Sequence, residues 1–442
     1  MILSLNDSSQ KVSESNARRF LLQGYRLVQK KIIFQLLKNK LHASKRTDFK
    51  KFKFCSNLQI NEKAKKVWFH ASSVGELEIL WSVILKWAKQ DQSYKEVAVT
   101  VFSSSAFGSI KKLAYDLEKI PQLKVVYLGP SPWEGDWKFI LNQWCPDCFL
   151  TSKYEAWPDL WVELARYDIP LVVLNAKLRR SLKIAQWMSR LLYGKTPKMH
   201  FCVEQEKDRQ DLKRVFSKSV IEHCGNPRWD QVSQRLETKN NRVKELESCF
   251  ENLPRPWGVI GSAWSEDLDI VLPVLKNQKG ALWVVPHDIQ RDSVSSLASK
   301  LKSFGLSAVR TSQLKADYDK IKPQVVVVDE MGLLLELYSL MDWAYVGGGF
   351  GKGVHSTIEP ALSGVPIAIG PQGQNHFSEV EQLQQTNQLE IVSNSKQFQS
   401  WYDTNIVHCD NLHKNRSDWK KHNNSFLGAT DKVLRVLKSY DA

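Results

Sequence analysis

Residues 343–361 read WAYVGGGFGKGVHSTIEPA: an apolar run breaks into Gly347, Gly348, Gly349, Gly351 and Gly353, and a helical pattern starts near Ser356. An apolar run that ends in glycines and opens a helix is the strand–loop–helix turn of an α/β unit. Amides in such a loop, with a helix N-terminus behind them, make a place for a phosphate. Ser356 and Glu359 have the S-x-x-E spacing of a capping box, which gives Glu359 a local structural role. Its other reading is a grip on the ribose hydroxyls of a nucleotide. His355 reads either as a phosphate contact or as a cap of the turn. The spacing is neither G-x-x-x-x-G-K-[ST] nor G-x-G-x-x-G, which excludes the P-loop and dinucleotide fingerprints.

The same rhythm recurs on both sides of this stretch. Runs at 257–261, 282–285, 325–328 and 366–369 join 343–346 as buried strands of a second half. Runs at 67–70, 97–102, 124–128, 148–151 and 171–174 form a first half, with amphipathic stretches such as 76–89 and 158–166 between them. Residues 417–439 read as helical. Short β-branched runs alternating with helical patterns predict an α/β chain with parallel sheets. Two Rossmann-like halves joined near residue 240 are expected to leave a cleft between the carboxyl ends of both sheets. In the first half, strand 67–70 leads directly into His70-Ala71-Ser72-Ser73-Val74-Gly75-Glu76. Gly75 is expected to allow close backbone approach. Glu76 opens the next helix, where an acid either complements the dipole or serves as a general base for an acceptor hydroxyl.

Composition bounds the rest. The chain has 442 residues, 43% hydrophobic and 25% charged, enough apolar material for two or three folded domains. Its net charge is +15, and residues 1–66, with 16 basic and 4 acidic side chains, hold +12 of it. The nearly neutral remainder argues against a protein that wraps nucleic acid. Residues 18–41 read RRFLLQGYRLVQKKIIFQLLKNKL, with Leu21, Tyr25, Val28, Ile32 and Leu36 on one helical face and a cationic remainder. Such a helix suits an anionic membrane surface; packing on the protein's own core, or nucleic-acid binding, are its other readings. No run reaches the roughly 18–20 apolar residues of a spanning helix, and a signal-peptide pattern is lacking, so an intracellular protein is expected. Seven cysteines, with Cys145 and Cys148 in a lone C-x-x-C, predict ordinary thiols. No carboxylate or histidine spacing indicates a metal.

With these motifs in place, the chain resembles the 3-deoxy-D-manno-octulosonic acid (Kdo) transferases, from about residue 67 to 389. His70-x-x-Ser73-Val74-Gly75-Glu76 is similar to the family's H-x-x-S-V-G-E, whose glutamate is the catalytic base. Glu155-Ala156-Trp157-Pro158 resembles T-E-L-W-P, Asn175-Ala176-Lys177-Leu178 resembles N-A-R-L, and Gly225-Asn226 with Asp230 resembles G-N-x-K-F-D. Met331-Gly332, Val346-Gly347-Gly348, His355, Glu359-Pro360-Ala361, Gly370-Pro371 and Asn375 reproduce the donor-site series. Four segments depart from the pattern. Residues 261–267 read GSAWSED where the family has S-T-H-E-G-E, and residues 285–291 read VPHDIQR where it has V-P-R-H-P-E-R. Lys153 stands at the first glutamate of E-T-E-L-W-P, and Gly353-Val354-His355-Ser356 replaces G-G-H-N.

The resemblance implies a GT-B fold, with two Rossmann-like domains facing a central cleft behind a basic amphipathic N-terminal helix. Its expected limits are 1–60 for the membrane-associating segment, 61–238 for the acceptor domain and 239–442 for the nucleotide-sugar domain. The implied activity is inverting transfer of Kdo from CMP-Kdo to a lipid A precursor, in lipopolysaccharide biosynthesis at the cytoplasmic face of a Gram-negative inner membrane. No cofactor or metal is implied beyond the donor substrate, and no nucleic acid. Glu76 would be the base. Gly347, Gly348, Gly349, Gly353, His355, Ser356, Thr357, Glu359, Ser262, His287, Met331, Gly332 and Asn375 would bind the donor, with Arg291 and Lys352 offsetting its charge. Ser73, Gly75, Glu155 and Trp157 would line the acceptor side or the cleft. Three alternatives stand beside this reading: a related transferase with another activated sugar, favoured by Trp264 and His287; a nucleotide-sugar epimerase; and a non-catalytic membrane-surface relative.

Overall fold

The computed structural model describes residues 23–25, 63–103, 106–130, 137–153, 156–238, 240–250, 254–275, 280–314, 325–374, 377–409 and 411–440. Of the basic segment at 18–41, only 23–25 fall among them, and they are helical; the rest of that expectation lies outside the described residues. The chain divides into two compact units, Met1–Arg228 with Gly428–Ala442, and Trp229–Leu427.

The first unit holds strands β1 (Lys65–Ala71), β2 (Lys95–Val101), β3 (Leu123–Pro130), β4 (Cys148–Ser152), β5 (Leu171–Leu174), β6 (Met199–Val203) and β7 (Val220–His223). Between them run helices α1 (Val74–Lys89), α2 (Phe107–Glu118), α3 (Trp137–Gln143), α4 (Pro158–Arg166), α5 (Arg180–Tyr193) and α6 (Glu206–Val215). The strands are parallel, in the order β3-β2-β1-β4-β5-β6-β7. Alternate side chains of β1 serve opposite cores. Val67, Phe69 and Ala71 pack with Leu77, Leu80 and Ile84 of α1, while Trp68 packs on the other face with Trp137, Trp144 and Phe149. A sheet covered on both faces needs continuous apolar strands, which is why these runs are legible in the sequence. The strand order reverses between β1 and β4, the switch point at which doubly wound sheets bind ligands.

The second unit repeats the plan. Helices α7 (Pro227–Leu236) and α8 (Asn241–Phe250) lead into β8 (Gly258–Ala263), α9 (Ser265–Leu275), β9 (Leu282–Pro286) and α10 (Arg291–Ser303). Then come β10 (Ala308–Arg310), β11 (Val325–Val327), α11 (Leu334–Leu340), β12 (Trp343–Val346), α12 (Ile358–Leu362), β13 (Ile367–Ile369), α13 (Ser378–Gln385), β14 (Leu389–Ile391) and α14 (Ser395–Tyr402). Its parallel order β10-β11-β9-β8-β12-β13-β14 reverses between β8 and β12.

The chain end differs from expectation. Residues 417–439 are parts of two helices, α15 (Leu412–Asn424) and α16 (Ala429–Lys438), separated at Gly428. Helix α16 belongs to the first unit, where Val433, Leu434, Val436 and Leu437 are buried in the core beside α1. Asp431 pairs with Lys86 of α1 at 2.7 Å. The boundary also falls earlier than 238/239, at Arg228, because Trp229 and Val232 are buried with Val346, Ile358 and Ile369 of the second unit. An amphipathic stripe says that a helix is covered, not which core covers it.

Candidate functional site

In the second unit the loop after β12 is built by close backbone approach. A Cβ on Gly349 would lie 2.5 Å from Cα of Gly370, at the end of β13, so neither loop could carry a side chain there. Gly348 sits at φ +95, and its N–H donates to Oδ2 of buried Asp267 at 2.8 Å. Asp267, in the first turn of α9, also accepts the Trp264 N–H at 3.0 Å and the Tyr345 hydroxyl at 3.1 Å. One carboxylate thereby ties the β8 loop to the β12 strand and its glycine turn. Burial pushes Asp267 above its usual range, and the hydrogen bonds from Gly348, Trp264 and Tyr345 pull back against it. Burial and the Asp267 charge push the Tyr345 hydroxyl up as well, which keeps it a donor. Ser262, at the end of β8, holds φ +50, a left-handed conformation that costs a non-glycine residue about 1–2 kcal/mol and is typical of functional loops.

The expectation for the glycine-loop amides changes in this geometry. The N–H groups of Gly347, Gly348, Gly351, Gly353, Val354 and His355 are all engaged within the protein. Helix α12 has five residues, its N-cap is Thr357 with no side-chain cap bond, and no Ser356–Glu359 capping box forms. A one-turn helix offers little dipole. In exchange, the buried hydroxyls of Ser356 and Thr357 have no hydrogen-bond partner among the described residues. A ligand at this turn would satisfy groups that are costly to leave unmade.

A three-ring stack stands at the carboxyl ends of β8, β9 and β12. Trp264 lies on His287 with ring centroids 4.5 Å apart and an interplanar angle of 23°, and His287 lies 4.6 Å from His355. The His287 N–H donates to Ala263 O at 3.1 Å, which fixes the β9 loop against β8. Beside the stack, a cavity of about 380 Å3 is lined by Trp264, His287, Asp288, Asp292, Ser293 and Lys300, among others. Buried Nε1 of Trp264 has no partner among the described residues. Lys300 is held by Ser265 O at 2.6 Å and Asp269 at 2.8 Å.

In the first unit, Ser73 caps α1, its hydroxyl accepting the Glu76 N–H at 3.4 Å. Glu76 is buried, and its Oε2 accepts the Ser72 N–H at 2.6 Å. The carboxylate is thus oriented by the turn that follows β1, at the order reversal of the first sheet. Phe102, just after β2, packs against Trp157, the N-cap of α4, with ring centroids at 5.3 Å. Gly75 does not act as expected: a Cβ there would meet no protein atom within 4 Å. Buried Glu204 accepts from Asn175 and from Asn226, each at 3.3 Å, tying two of the sequence motifs together.

The structure therefore brings Ser73, Gly75, Glu76 and Trp157 to one edge of the first sheet. It brings Ser262, His287, Gly347, Gly348, Gly349, Gly353, His355, Ser356, Thr357 and Glu359 to one edge of the second. Met331 and Gly332 follow β11, and Met331 is 75% exposed. Glu155 and Asn375 lie outside the described residues, as does the side chain of Arg291, whose backbone opens α10. Sequence reasoning missed Asp267, Tyr345 and Glu204. An acid in the first turn of α9 was the one visible signal for Asp267. Cys148 is buried, which pushes its thiol up and keeps it protonated, as read for an ordinary thiol.

Residues 46–231 match the family profile described as 3-deoxy-D-manno-octulosonic-acid transferase (kdotransferase). The chain is 28% identical over 315 residues to a Fusobacterium nucleatum bifunctional glycosyltransferase/methyltransferase, covering 70% of this chain and 48% of that one. It is 26% identical over 314 residues to the 3-deoxy-D-manno-octulosonic acid transferase of Rickettsia felis, covering 69% of this chain and 64% of that one. The match thus spans about half to two thirds of the length of these relatives. Among solved structures, Anabaena HepE in complex with UDP is similar, at 12% identity and a TM-score of 0.54, with 85% of this chain and all (100%) of that one covered. That likeness, with the two doubly wound parallel sheets, establishes the GT-B fold. By its profile match over residues 46–231 and these relatives, the chain is similar to the 3-deoxy-D-manno-octulosonic acid transferases.

Proposed function

We propose that this chain is an inverting glycosyltransferase that moves Kdo from CMP-Kdo to a hydroxyl of a lipid A precursor at the cytoplasmic face of an inner membrane. Similarity to the 3-deoxy-D-manno-octulosonic acid transferases supports the sugar. The observation that carries the reading is the placement of the motif residues at both sheet reversals: Glu76 in the first unit, and the Ser356–Thr357 turn behind the glycine loop in the second. Glu76, oriented by the Ser72 N–H, takes the proton of the acceptor hydroxyl as that oxygen attacks the anomeric carbon. The bond to the CMP phosphate breaks, and the hydroxyls of Ser356 and Thr357 donate to the departing oxygen. A donor of this kind is worth about 3–4 kcal/mol of transition-state stabilisation. Among the described residues no group of three His, Cys, Asp or Glu side chains is placed to hold a metal, and the proposal routes no step through one. Among the described residues no helix is long and apolar enough to cross a membrane, and the membrane association proposed is peripheral or monotopic.

A second reading, transfer of a different activated sugar, is favoured by the Trp264–His287 stack at positions where the family pattern has histidine and arginine. Release of CMP from CMP-Kdo, with and without a lipid A precursor, tests the first reading. Acceptor-dependent release supports it. No turnover by folded protein that binds CMP overturns this donor–acceptor pair and points to another sugar or acceptor.

A further inference from the structure

Helix α5 carries two apolar faces, and only one is covered. Leu182, Ala185, Ser189 and Leu192 point into the first unit and are buried. Ile184, Trp187 and Leu191, at spacing i, i+3 and i+7, share the opposite face and are 46%, 62% and 42% exposed. Of the nine large apolar side chains exposed among the described residues, three therefore sit in one stripe on one helix. Isolated exposed leucines need no explanation, but a contiguous stripe marks an interaction surface.

The charge around the stripe identifies what it fits. Residues 177–198 contain Lys177, Arg179, Arg180, Lys183, Arg190, Lys195 and Lys198 and no acid. Lys183 and Arg190 are exposed one turn to either side of Trp187. A protein partner of ordinary composition presents both signs of charge; an anionic lipid surface presents one sign over an apolar layer. Apolar side chains that include a tryptophan, ringed by Lys and Arg, are the pattern of helices lying in the headgroup region. On its covered side the same helix meets Tyr25, from the basic N-terminal stretch, which packs beside Leu192 and Tyr193. We infer that the outer face of α5 is a membrane-docking surface, in which Ile184, Trp187 and Leu191 enter an anionic leaflet and Lys183 and Arg190 meet its headgroups. This contact is additional to the one expected of residues 18–41, and it is read without turnover, so it stands or falls apart from the assignment of donor and acceptor.

The test uses the full chain and vesicles of phosphatidylcholine alone or with about 30% phosphatidylglycerol, read by co-sedimentation. The wild-type chain is expected to bind the anionic vesicles and to leave the neutral ones largely in solution. Replacing Ile184, Trp187 and Leu191 together by serine, or Lys183→Glu with Arg190→Glu, is expected to weaken binding roughly tenfold with the melting temperature unchanged. A photoreactive residue at position 187 should yield a lipid adduct, whereas one at Tyr115, 64% exposed on α2, should not. Unchanged binding by both variants would overturn the inference in favour of the N-terminal segment alone. Equal binding to neutral vesicles would overturn its electrostatic part. A vesicle-free dimer in sedimentation velocity that is lost in Trp187→Ser would assign the stripe to a second copy of the chain instead.

Discussion

Replacing Glu76 separates two roles that its position allows. In the structure the side chain closes the start of α1, with Oε2 taking the Ser72 N–H at 2.6 Å while Ser73 takes the Glu76 N–H at 3.4 Å. Glutamine at this position still offers an acceptor to Ser72, because the helix-capping geometry accepts Glu or Gln. Glu76→Gln should therefore change stability by less than about 1 kcal/mol. Alanine offers nothing, and a part-buried N–H that loses its acceptor costs about 1 kcal/mol or more, so Glu76→Ala should melt a few degrees lower. Turnover should behave differently. A general base contributes about 10²–10⁴-fold, and the amide cannot take a proton, so both variants should lose activity by that factor. CMP release and thermal unfolding, measured on the same three preparations, give the two readouts. If Glu76→Gln keeps turnover within a few-fold of wild type, Glu76 is a cap and the base lies elsewhere.

Three further outcomes follow from the geometry. Gly349→Ala, whose Cβ would sit 2.5 Å from Gly370, should destabilise the second unit by about 1–3 kcal/mol or more and abolish CMP binding in calorimetry, whereas Gly351→Ala, with nothing nearer than 3.9 Å, should do neither. Burial raises Asp267, and a carboxyl raised on folding contributes stability that is full below its unfolded value and is lost as pH rises through the folded one. The wild-type chain should accordingly lose stability relative to Asp267→Asn as pH rises from about 4 to 7, and a difference that grows in favour of wild type over that range in pH-dependent denaturation would reject the assignment. Leu437→Ala, in α16, should cost about 2–5 kcal/mol and raise hydrogen exchange in β1 and α1 rather than in the second unit, although residue 437 follows that unit in sequence.

The central strands were legible because burial on both faces leaves little choice of residue. Leu171–Leu174 and Trp343–Val346 coincide with expectation, β9 and β13 differ by one residue at one end, and β1 and β2 by one or two residues at both ends. The strands that escaped notice have other causes. β7 reads VIEH with three exposed residues, β10 and β14 are three residues long, and β6 carries His200 and Cys202 within its apolar run. Short edge strands take their stability from the neighbour they pair with, which a local window does not contain. The site divides along the same line. The glycine loop and the Glu76 turn are local and could be read. The Asp267 clamp joins residues 78 and 81 positions apart, and α16 reaches its core from the far end of the chain.

The capping box that failed to form is instructive for what it left behind. The S-x-x-E spacing is present, but the chain makes a tight turn through Val354 and His355, bonded to Gln372 and Gly347, and the helix starts only at Ile358. That displacement leaves the Ser356 and Thr357 hydroxyls unpartnered, whereas a regular cap would have consumed one of them. Two of the departures from the family pattern behave in a related way. Trp264 and His287 lie far apart in sequence yet stack on each other, and His355, which matches the pattern, completes the row. An aromatic pair of this kind contributes about 0.5–1.5 kcal/mol beyond its buried area. Where the family pattern has a histidine and an arginine, this chain has two rings that fit together, next to the Asp267 clamp and the Gly349–Gly370 approach. Loss of function by drift would leave such positions unmatched. A matched stack bordering a cavity of about 380 Å3 argues instead for a pocket reshaped around a ligand with a flat or apolar face, which makes Trp264 and His287 the first positions at which donor choice should be altered.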